Sequence, residues 1–200
     1  NQLKAINRSF LKSRGKIIFL LDSDDAFLKD KVKYFVDTFQ KNKKLEFLQD
    51  NPIYYYPKKK LKEKKKLKLK KLVFHTWPYF NPTSTMAFQR NFLKKILKEI
   101  SFSNKKFGKM AIDARAYIYI YFFSKNYKIL NKYLTIYTQN IRGYTISNYK
   151  KKGITWWERR LEFHNYVQAL FFKKKKVYYK LLDYYVTYII NSIYKELSKI

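Results

Sequence analysis

Two carboxylates spaced two residues apart, Asp22 and Asp24, are the side chains whose spacing first indicates chemistry. If the extended backbone that precedes them continues, both point to the same side. Two hard oxygen ligands with open coordination positions suit Mg²⁺ or Mn²⁺, with phosphate and water as the remaining ligands. Such an ion would neutralise a departing diphosphate. The alternative is an ordinary helix N-cap by Asp24 or Asp25, and Asp25 could hold that role beside a metal site.

The segments around these carboxylates place them at the end of a strand. Residues 2–13 have the apolar spacing of a helix, and Gly15 stands where a C-cap glycine is expected. The continuous apolar run of residues 16–21 predicts a buried central strand. Open α/β sheets bind ligands at the carboxyl ends of such strands. A second helix is expected from about Phe27 to Lys41, and its inward face comprises Phe27, Leu28, Val32, Phe35, Val36 and Phe39.

The rest of the chain alternates short strands and helices, which predicts an α/β fold. The expected strands are residues 45–48, 53–56 and 72–74 and a strand pair within 128–136, and the expected helices are 88–100, 112–124, 155–172 and 177–198. A structured loop is expected at residues 75–85. The lysine-rich run of residues 58–71 indicates a solvated hairpin or insertion loop, with a basic arm for lipid or phosphate as the alternative. We divide the chain into a domain of residues 1–153 and a helical extension of residues 154–200.

Composition narrows the classes of function. Apolar residues make up 46% of the chain and aromatic residues 20%, which supports a folded core and argues against disorder. The absence of cysteine excludes disulfides and thiolate metal sites. The net charge of +31 comes mainly from lysine, in a composition that looks like the codon bias of an AT-rich genome. Because base recognition favours arginine, we expect no nucleic-acid partner, whereas lysine suits a peripheral contact with anionic lipid.

Residues 5–25 resemble the central signature of family 2 glycosyltransferases. That signature consists of an Ala-Arg-Asn-x-Gly helix, a Gly-Glu-Tyr turn, an apolar strand and Asp-x-Asp-Asp. The matching residues are Ala5, Asn7, Gly15, Asp22, Asp24 and Asp25. The arginine, second glycine and glutamate of the signature are replaced by Ile6, Ser9 and Lys16. The resemblance implies a GT-A-like (Rossmann-like) mixed sheet flanked by helices, with a metal-bound nucleoside-diphosphate sugar at Asp22 and Asp24.

The chain starts at Asn1, within the pattern of the first helix. The resemblance implies that the first strands and helices of the family, which hold the nucleotide base, precede Asn1. We therefore expect these residues alone to be a fragment that binds the donor poorly and could be inactive.

Residues 81–90 resemble the segment in which family members form a small-residue strand and then a helix. The resemblance makes Thr83, Ser84 and Thr85 candidates for acceptor binding. A simple turn with an N-cap by Thr83 or Ser84 is the alternative.

Asp113 lies where the family places its catalytic carboxylate, at the start of a predicted helix. A base that takes the proton from an acceptor hydroxyl must be a carboxylate within hydrogen-bond reach, and a helix N-terminus keeps it ionised. Ile112 stands where the family usually has glutamate, and a plain first-turn aspartate is the alternative.

An aromatic and basic cluster opens the first C-terminal helix: Trp156, Trp157, Arg159 and Arg160. Tryptophan faces can stack on sugars in an acceptor site, and arginines can bind phosphate. Core packing of this helix is the alternative. Processive family members carry Gln-x-x-Arg-Trp in this region, and its absence here argues for the transfer of a single sugar.

These features together predict a metal-dependent, hexosyltransferase-like enzyme of cell-envelope polysaccharide biosynthesis. It would move one sugar from a nucleoside-diphosphate sugar to a glycan or lipid-linked acceptor, with an inversion that the resemblance alone implies. We expect a cytoplasmic protein, peripheral at the inner face of the cell membrane if its two C-terminal amphipathic helices contact lipid rather than form a lid. The rival is a non-catalytic basic module on nucleic acid or anionic membrane; nucleic-acid binding would be strongly salt-dependent and independent of divalent ions.

Overall fold

A computed structural model describes residues 2–64, 81–107, 110–124, 126–139, 154–175 and 181–197. Its helices are α1 (Gln2–Lys12), α2 (Lys31–Lys41), α3 (Arg90–Phe107), α4 (Ile112–Phe123), α5 (Ile154–Lys173) and α6 (Leu181–Leu197). Its strands are β1 (Ile17–Phe19), β2 (Ala26–Phe27), β3 (Phe47–Tyr56), β4 (Leu61–Lys64), β5 (Met86–Gln89) and β6 (Tyr127–Thr138). The strand expected at residues 72–74, most of the loop expected at 75–85 and the end of the lysine-rich run lie outside the described residues.

The strands form one mixed sheet in the order β1-β5-β3-β6-β2, and β4 also pairs with β3. The long strands β3 and β6 run parallel, with Phe47 opposite Tyr127 and Tyr55 opposite Thr138. The other strand pairs of the described residues are antiparallel. Two long neighbouring strands therefore form the middle of the sheet and end beside each other.

The first strand differs from its prediction. In the described residues, β1 lies at one end of the sheet, is half-buried and pairs antiparallel with β5, so the prediction of a buried central strand is wrong for this part of the molecule. The strand ends at Phe19, although the Leu20 N–H still donates to Met86 O at 3.1 Å. Leu21 is exposed. The chain therefore leaves the sheet before it reaches Asp22.

Several helix and strand boundaries also differ from the predicted ones. The second helix begins at Lys31 rather than near Phe27, because Ala26–Phe27 pairs with β6 as strand β2. Gly15 has no positive φ, so the predicted C-cap conformation is absent there. Residues 45–48 and 53–56, expected as two strands, belong to or border the single strand β3, and the strand pair expected at 128–136 is the single strand β6.

Other predictions are confirmed in outline. Helices α1, α4, α5 and α6 lie within a few residues of their expected ranges, and α3 extends to Phe107. The lysine-rich run forms a hairpin as far as Lys64, where a 3₁₀ turn at Pro57–Lys59 joins β3 to β4. The hairpin interpretation therefore holds for the described part of that run.

The sheet carries packed side chains on both faces. Phe47 and Phe88 pack with residues of α1, α3 and α4, whereas their neighbours Leu48 and Ala87 pack with Phe35 and other residues of α2 on the opposite face. This division follows from the alternation of side chains along a strand. The sheet is therefore packed between two apolar layers.

The chain divides into two compact units: Asn1–Lys70, Pro78–Lys105 and Ala111–Asn140 in the first, and Lys71–Trp77, Lys106–Met110 and Ile141–Ile200 in the second. The second unit contains α5 and α6 and buries Phe163, Val167 and Leu170. No helix among the described residues is long and apolar enough to cross a membrane.

Candidate functional site

Residues 22–25 form the acidic turn that contains both predicted metal ligands. The Asp25 N–H donates to Asp22 O at 3.1 Å, so the backbone forms a β-turn here instead of the extended strand that the sequence analysis considered. The Asp22 carboxylate is half-buried and that of Asp24 is exposed. Neither Asp24 nor Asp25 caps a helix, because α2 begins six residues after Asp25, with Asp30 at its N-cap. The helix-cap alternative is therefore wrong.

Asp113, the predicted base, lies in the first turn of α4, close to the acidic turn. Its Oδ1 accepts the Ala114 N–H at 2.7 Å, and its Oδ2 lies 3.4 Å from the Thr83 hydroxyl oxygen. The Thr83 hydroxyl has a single proton, and Asp22 is an alternative acceptor whose ionised form it favours. Thr83 thus lies near the two carboxylates that were predicted to bind metal and to accept a proton.

Burial and the neighbouring negative charges both act on these carboxylates. Burial, followed by the negative charges of Asp25, Asp113 and Asp24, raises the pKa of Asp22 to about 6. Burial also raises the pKa of Asp113, whose inner side faces a small apolar pocket lined by residues that include Leu20 and Met86. Carboxylates that raise one another's pKa values in this way have too little positive charge around them, and a bound cation would supply it.

A buried ion pair, which the sequence analysis missed, lies beneath the acidic turn. Lys31 and Asp50 are both 0% exposed, and their Nζ–Oδ1 distance is 3.0 Å. The Lys31 ammonium also donates to Ser84 O at 2.7 Å and to the Thr135 hydroxyl. Burial lowers the pKa of Lys31 to about 8, and Asp50 opposes that shift. Nothing in a chain this rich in lysine distinguishes Lys31 from its exposed neighbours.

This pair holds the backbone that positions the acidic turn. Ser84 accepts the Lys31 hydrogen bond with its carbonyl and the Asp22 N–H, at 2.9 Å, with its hydroxyl. On the other side of the turn, Asp25 Oδ1 accepts the Thr138 N–H at 2.8 Å. The acidic turn is therefore attached by hydrogen bonds at both ends, to the turn before β5 and to the end of β6.

Tyr137 is a second residue that the sequence analysis missed. It precedes the Thr138 N–H that binds Asp25, and its ring contacts that of Tyr54 edge-on, with 5.5 Å between centroids. Burial, then the negative charge of Asp25, raises the pKa of Tyr137 to about 12, and Asp22 contributes to the same shift. A half-buried aromatic pair therefore borders the carboxylates. No motif indicated it among the chain's 20 tyrosines.

The three predicted acceptor-binding residues form a buried 3₁₀ turn, Thr83–Thr85, before β5. The hydroxyl of Ser84 accepts the Asp22 N–H, as described, and that of Thr85 donates to Pro82 O at 2.6 Å and accepts from Gln49 Nε2 at 2.9 Å. Of the three hydroxyls, that of Thr83 lies 3.4 Å from Oδ2 of the predicted base, Asp113. Acceptor binding by these residues stays a prediction.

The aromatic and basic cluster belongs to the second unit. The Arg160 guanidinium is bonded to Asp183 and donates through Nε to the Thr187 hydroxyl at 3.0 Å. The Trp157 ring, 5.9 Å from the Arg160 guanidinium carbon, is half-buried. The side chain of Trp156 lies outside the described part of the structure, and Arg159 is half-buried on the same helix. The acceptor and phosphate roles of these four residues remain predictions.

A divalent ion at the acidic turn would need further ligands from a bound phosphate or from water. Among the described residues, no three acidic or histidine side chains are arranged as a ready-made metal site. In the same part of the chain, the buried Asp25 Oδ2 has no hydrogen-bond partner, so the turn has spare acceptor capacity. Two or three carboxylate oxygens plus phosphate oxygens and water would complete the shell that Mg²⁺ or Mn²⁺ prefers.

Comparison with known proteins agrees with this geometry. The sequence model of glycosyl transferase family 2 matches residues 1–188. The chain belongs to this family. Its mixed sheet flanked by helices is GT-A-like, as expected, and family membership supports a glycosyltransferase that uses a nucleotide-sugar donor and an acceptor. No curated protein matches the chain.

Proposed function

We propose that this protein transfers one sugar, with inversion, from a nucleoside-diphosphate sugar to a hydroxyl of a glycan or lipid-linked acceptor, and that it requires Mg²⁺ or Mn²⁺. One observation carries the proposal: the Thr83 hydroxyl lies 3.4 Å from Asp113 Oδ2 beside the acidic turn, where burial and then neighbouring carboxylates raise the pKa of Asp22. A metal-dependent inverting transferase needs both parts, a cation site for the diphosphate and a base for the acceptor.

The residues have separate roles in this reaction. Asp22 and Asp24 would hold the divalent ion, which when bound neutralises the charge of the departing diphosphate. Asp113 accepts the proton of the attacking hydroxyl, and its burial against the apolar pocket makes its carboxylate a stronger base. Thr83 orients the Asp113 carboxylate through Oδ2, while the Ala114 N–H fixes Oδ1.

The setting of the reaction is part of the proposal. A lipid-linked acceptor in cell-envelope polysaccharide synthesis would place the enzyme on the cytoplasmic side, in peripheral contact with the membrane. The lysine-rich composition supports such a contact, because anionic headgroups attract lysine without demanding a fixed geometry.

The metal site is tested by measuring the hydrolysis of a panel of nucleoside-diphosphate sugars by the full-length protein, with Mn²⁺ and with chelator. Asp24→Ala should lower Mn²⁺-dependent hydrolysis by about 100-fold or more, because the ion loses one of two protein ligands. The matched control is Asp37→Ala, an exposed aspartate on α2, which should behave as wild type. Unchanged activity in Asp24→Ala would remove this residue from the mechanism.

Asp113→Asn separates binding from chemistry. The variant should keep its affinity for the donor, measured by calorimetry, and lose transfer by roughly 10²–10⁴-fold because the base is gone. Transfer at the wild-type rate would refute the role of Asp113. The rival function, nucleic-acid binding, would appear instead as affinity for DNA or RNA that falls steeply with salt and does not depend on Mn²⁺.

A further inference from the structure

Helix α6 packs against α5 with its polar side. The Arg160 guanidinium binds Asp183 and the Thr187 hydroxyl, and Asn191 Nδ2 donates to Trp157 O at 2.9 Å. Thr187 is fully buried in this contact. The inner face of α6 is thus formed by Asp183, Thr187 and Asn191, at the three- and four-residue spacing of one helix face.

The opposite side of α6 is apolar and faces outward. We call this side the outer stripe; its exposed residues are Leu182, Tyr185, Val186, Ile189, Ile193 and Leu197. Each is between 45% and 80% exposed. Their successive spacings of three, one, three, four and four residues keep them on one face along the helix. An amphipathic helix usually buries such a face, so the orientation of α6 leaves a continuous apolar surface for a partner.

The positive charge of the protein favours an anionic lipid surface as the partner of the outer stripe. Lys173, Lys174 and Lys175 are exposed at the end of α5, within the same unit, and the whole chain carries +31. A second copy would bring another +31 towards this face and be repelled, whereas an anionic lipid surface would be attracted. No described helix can span a bilayer, so α6 would lie in the plane of the surface, the arrangement typical of interfacial amphipathic helices.

We propose that the outer stripe of α6 inserts into the interfacial layer of an anionic bilayer while Lys173–Lys175 contact the headgroups. Leucine, isoleucine and valine supply the buried apolar area, and Tyr185 suits the boundary between acyl chains and water. The inference deepens the proposed function, on which its biological purpose rests, since it would bring the enzyme to lipid-linked acceptors. Lipid binding itself requires neither donor nor metal.

The test is co-sedimentation of the full-length protein with phosphatidylcholine vesicles, with and without phosphatidylglycerol. Wild-type protein should bind the anionic vesicles and bind the neutral ones weakly. Changing Leu182, Ile189 and Ile193 together to serine should lower binding to anionic vesicles by roughly 10-fold or more. Leu11→Ser is the matched control, because Leu11 is 80% exposed, like Leu182, but lies on α1. Lys173→Gln, Lys174→Gln and Lys175→Gln together should weaken binding and reduce its salt dependence.

Each result bears on the proposal. Anionic-vesicle binding that survives the triple substitution, with circular dichroism showing an intact fold, would overturn it. So would a wild-type dimer that the triple variant dissociates while neither protein binds vesicles, because the occupant of the stripe would then be a second copy. Failure of the proposed function looks different: the protein would bind vesicles normally and hydrolyse no nucleotide sugar.

Discussion

Two regions of the molecule contain charged side chains that are partly buried: the acidic turn of the first unit and the contact between α5 and α6 in the second. They differ in whether positive and negative charges are paired. Between the helices, the Arg160 guanidinium is bonded to Asp183, and His164 Nε2 lies 3.0 Å from the same carboxylate. At the acidic turn, the carboxylates of Asp22, Asp24, Asp25 and Asp113 act on one another. The cation beneath them, Lys31, is already bonded to Asp50.

This difference separates a structural use of charge from a functional one. A carboxylate and a guanidinium that satisfy each other inside the protein have little reason to bind anything else. Carboxylates whose charged forms are destabilised by burial and by one another can be neutralised by a proton or by a bound cation, and such perturbed groups concentrate at functional sites. From this contrast we expect ligand binding at the acidic turn and helix packing at the contact of Arg160 with Asp183, and the following experiments test that expectation.

The largest effect is expected when the buried ion pair under the acidic turn is broken. Lys31→Met leaves the Asp50 carboxylate buried without its cation and should lower the free energy of unfolding by about 3–5 kcal/mol. It also removes the donor to Ser84 O, so the backbone that holds Asp22 should loosen. Urea unfolding measures the first effect, and Mn²⁺ affinity measures the second.

A double variant separates the two consequences. Lys31→Met with Asp50→Asn removes both charges and keeps an acceptor for the Leu134 N–H, so most of the lost stability should return. Mn²⁺ affinity should stay low, because Ser84 O still lacks its donor. If affinity returns with stability, Lys31 has no positioning role. Lys33→Met, an exposed substitution on the same helix, is the control.

A smaller effect is expected at the ion pair of Arg160 and Asp183, where the charges are matched. Arg160→Met should lower the stability of the helix pair by about 1–2 kcal/mol, because Asp183 loses a charged partner and Thr187 a donor. Fluorescence of Trp157, which lies against Arg160, reports that unfolding locally. Donor hydrolysis should not change. A loss of donor affinity at unchanged stability would instead support the phosphate role predicted for Arg160 and weaken the division drawn above.

What could be predicted from the sequence depended on local patterns. Helices α1 and α4 have strong apolar periodicity or composition, and they lie where the sequence placed them. The site carboxylates could be singled out because Asp22 and Asp24 follow an apolar run and Asp113 lies at the start of a predicted helix. Those are features of a few consecutive residues, so one sequence is enough to find them.

What could not be predicted depends on contacts between distant residues. Lys31, Asp50 and Thr135 lie 19 and 85 positions apart along the chain, and no local pattern marks lysine as buried. The short strand β2 was assigned to a helix because Ala26 and Phe27 are strand only through pairing with β6. The polar face of α6 looks solvent-exposed in sequence, since its partner Arg160 is 23 positions before Asp183. Tertiary partners override local preference in each case.

The smallest and most diagnostic effect concerns pH and the acidic turn. Because the pKa of Asp22 rises from 3.8 to about 6 on folding, the folded protein binds more protons than the unfolded chain between those values. In chelator, stability should therefore fall as the pH rises through that window, with a contribution from Asp22 of about 1 kcal/mol after allowance for solvent screening.

Asp22→Asn should remove this part of the slope, whereas Asp37→Asn, on the exposed side of α2, should not. Thermal unfolding between pH 4 and 7 measures the slope. If wild type and Asp22→Asn lose stability equally over this range, the carboxylates of the turn do not repel one another, and the contrast with the balanced arginine cluster fails.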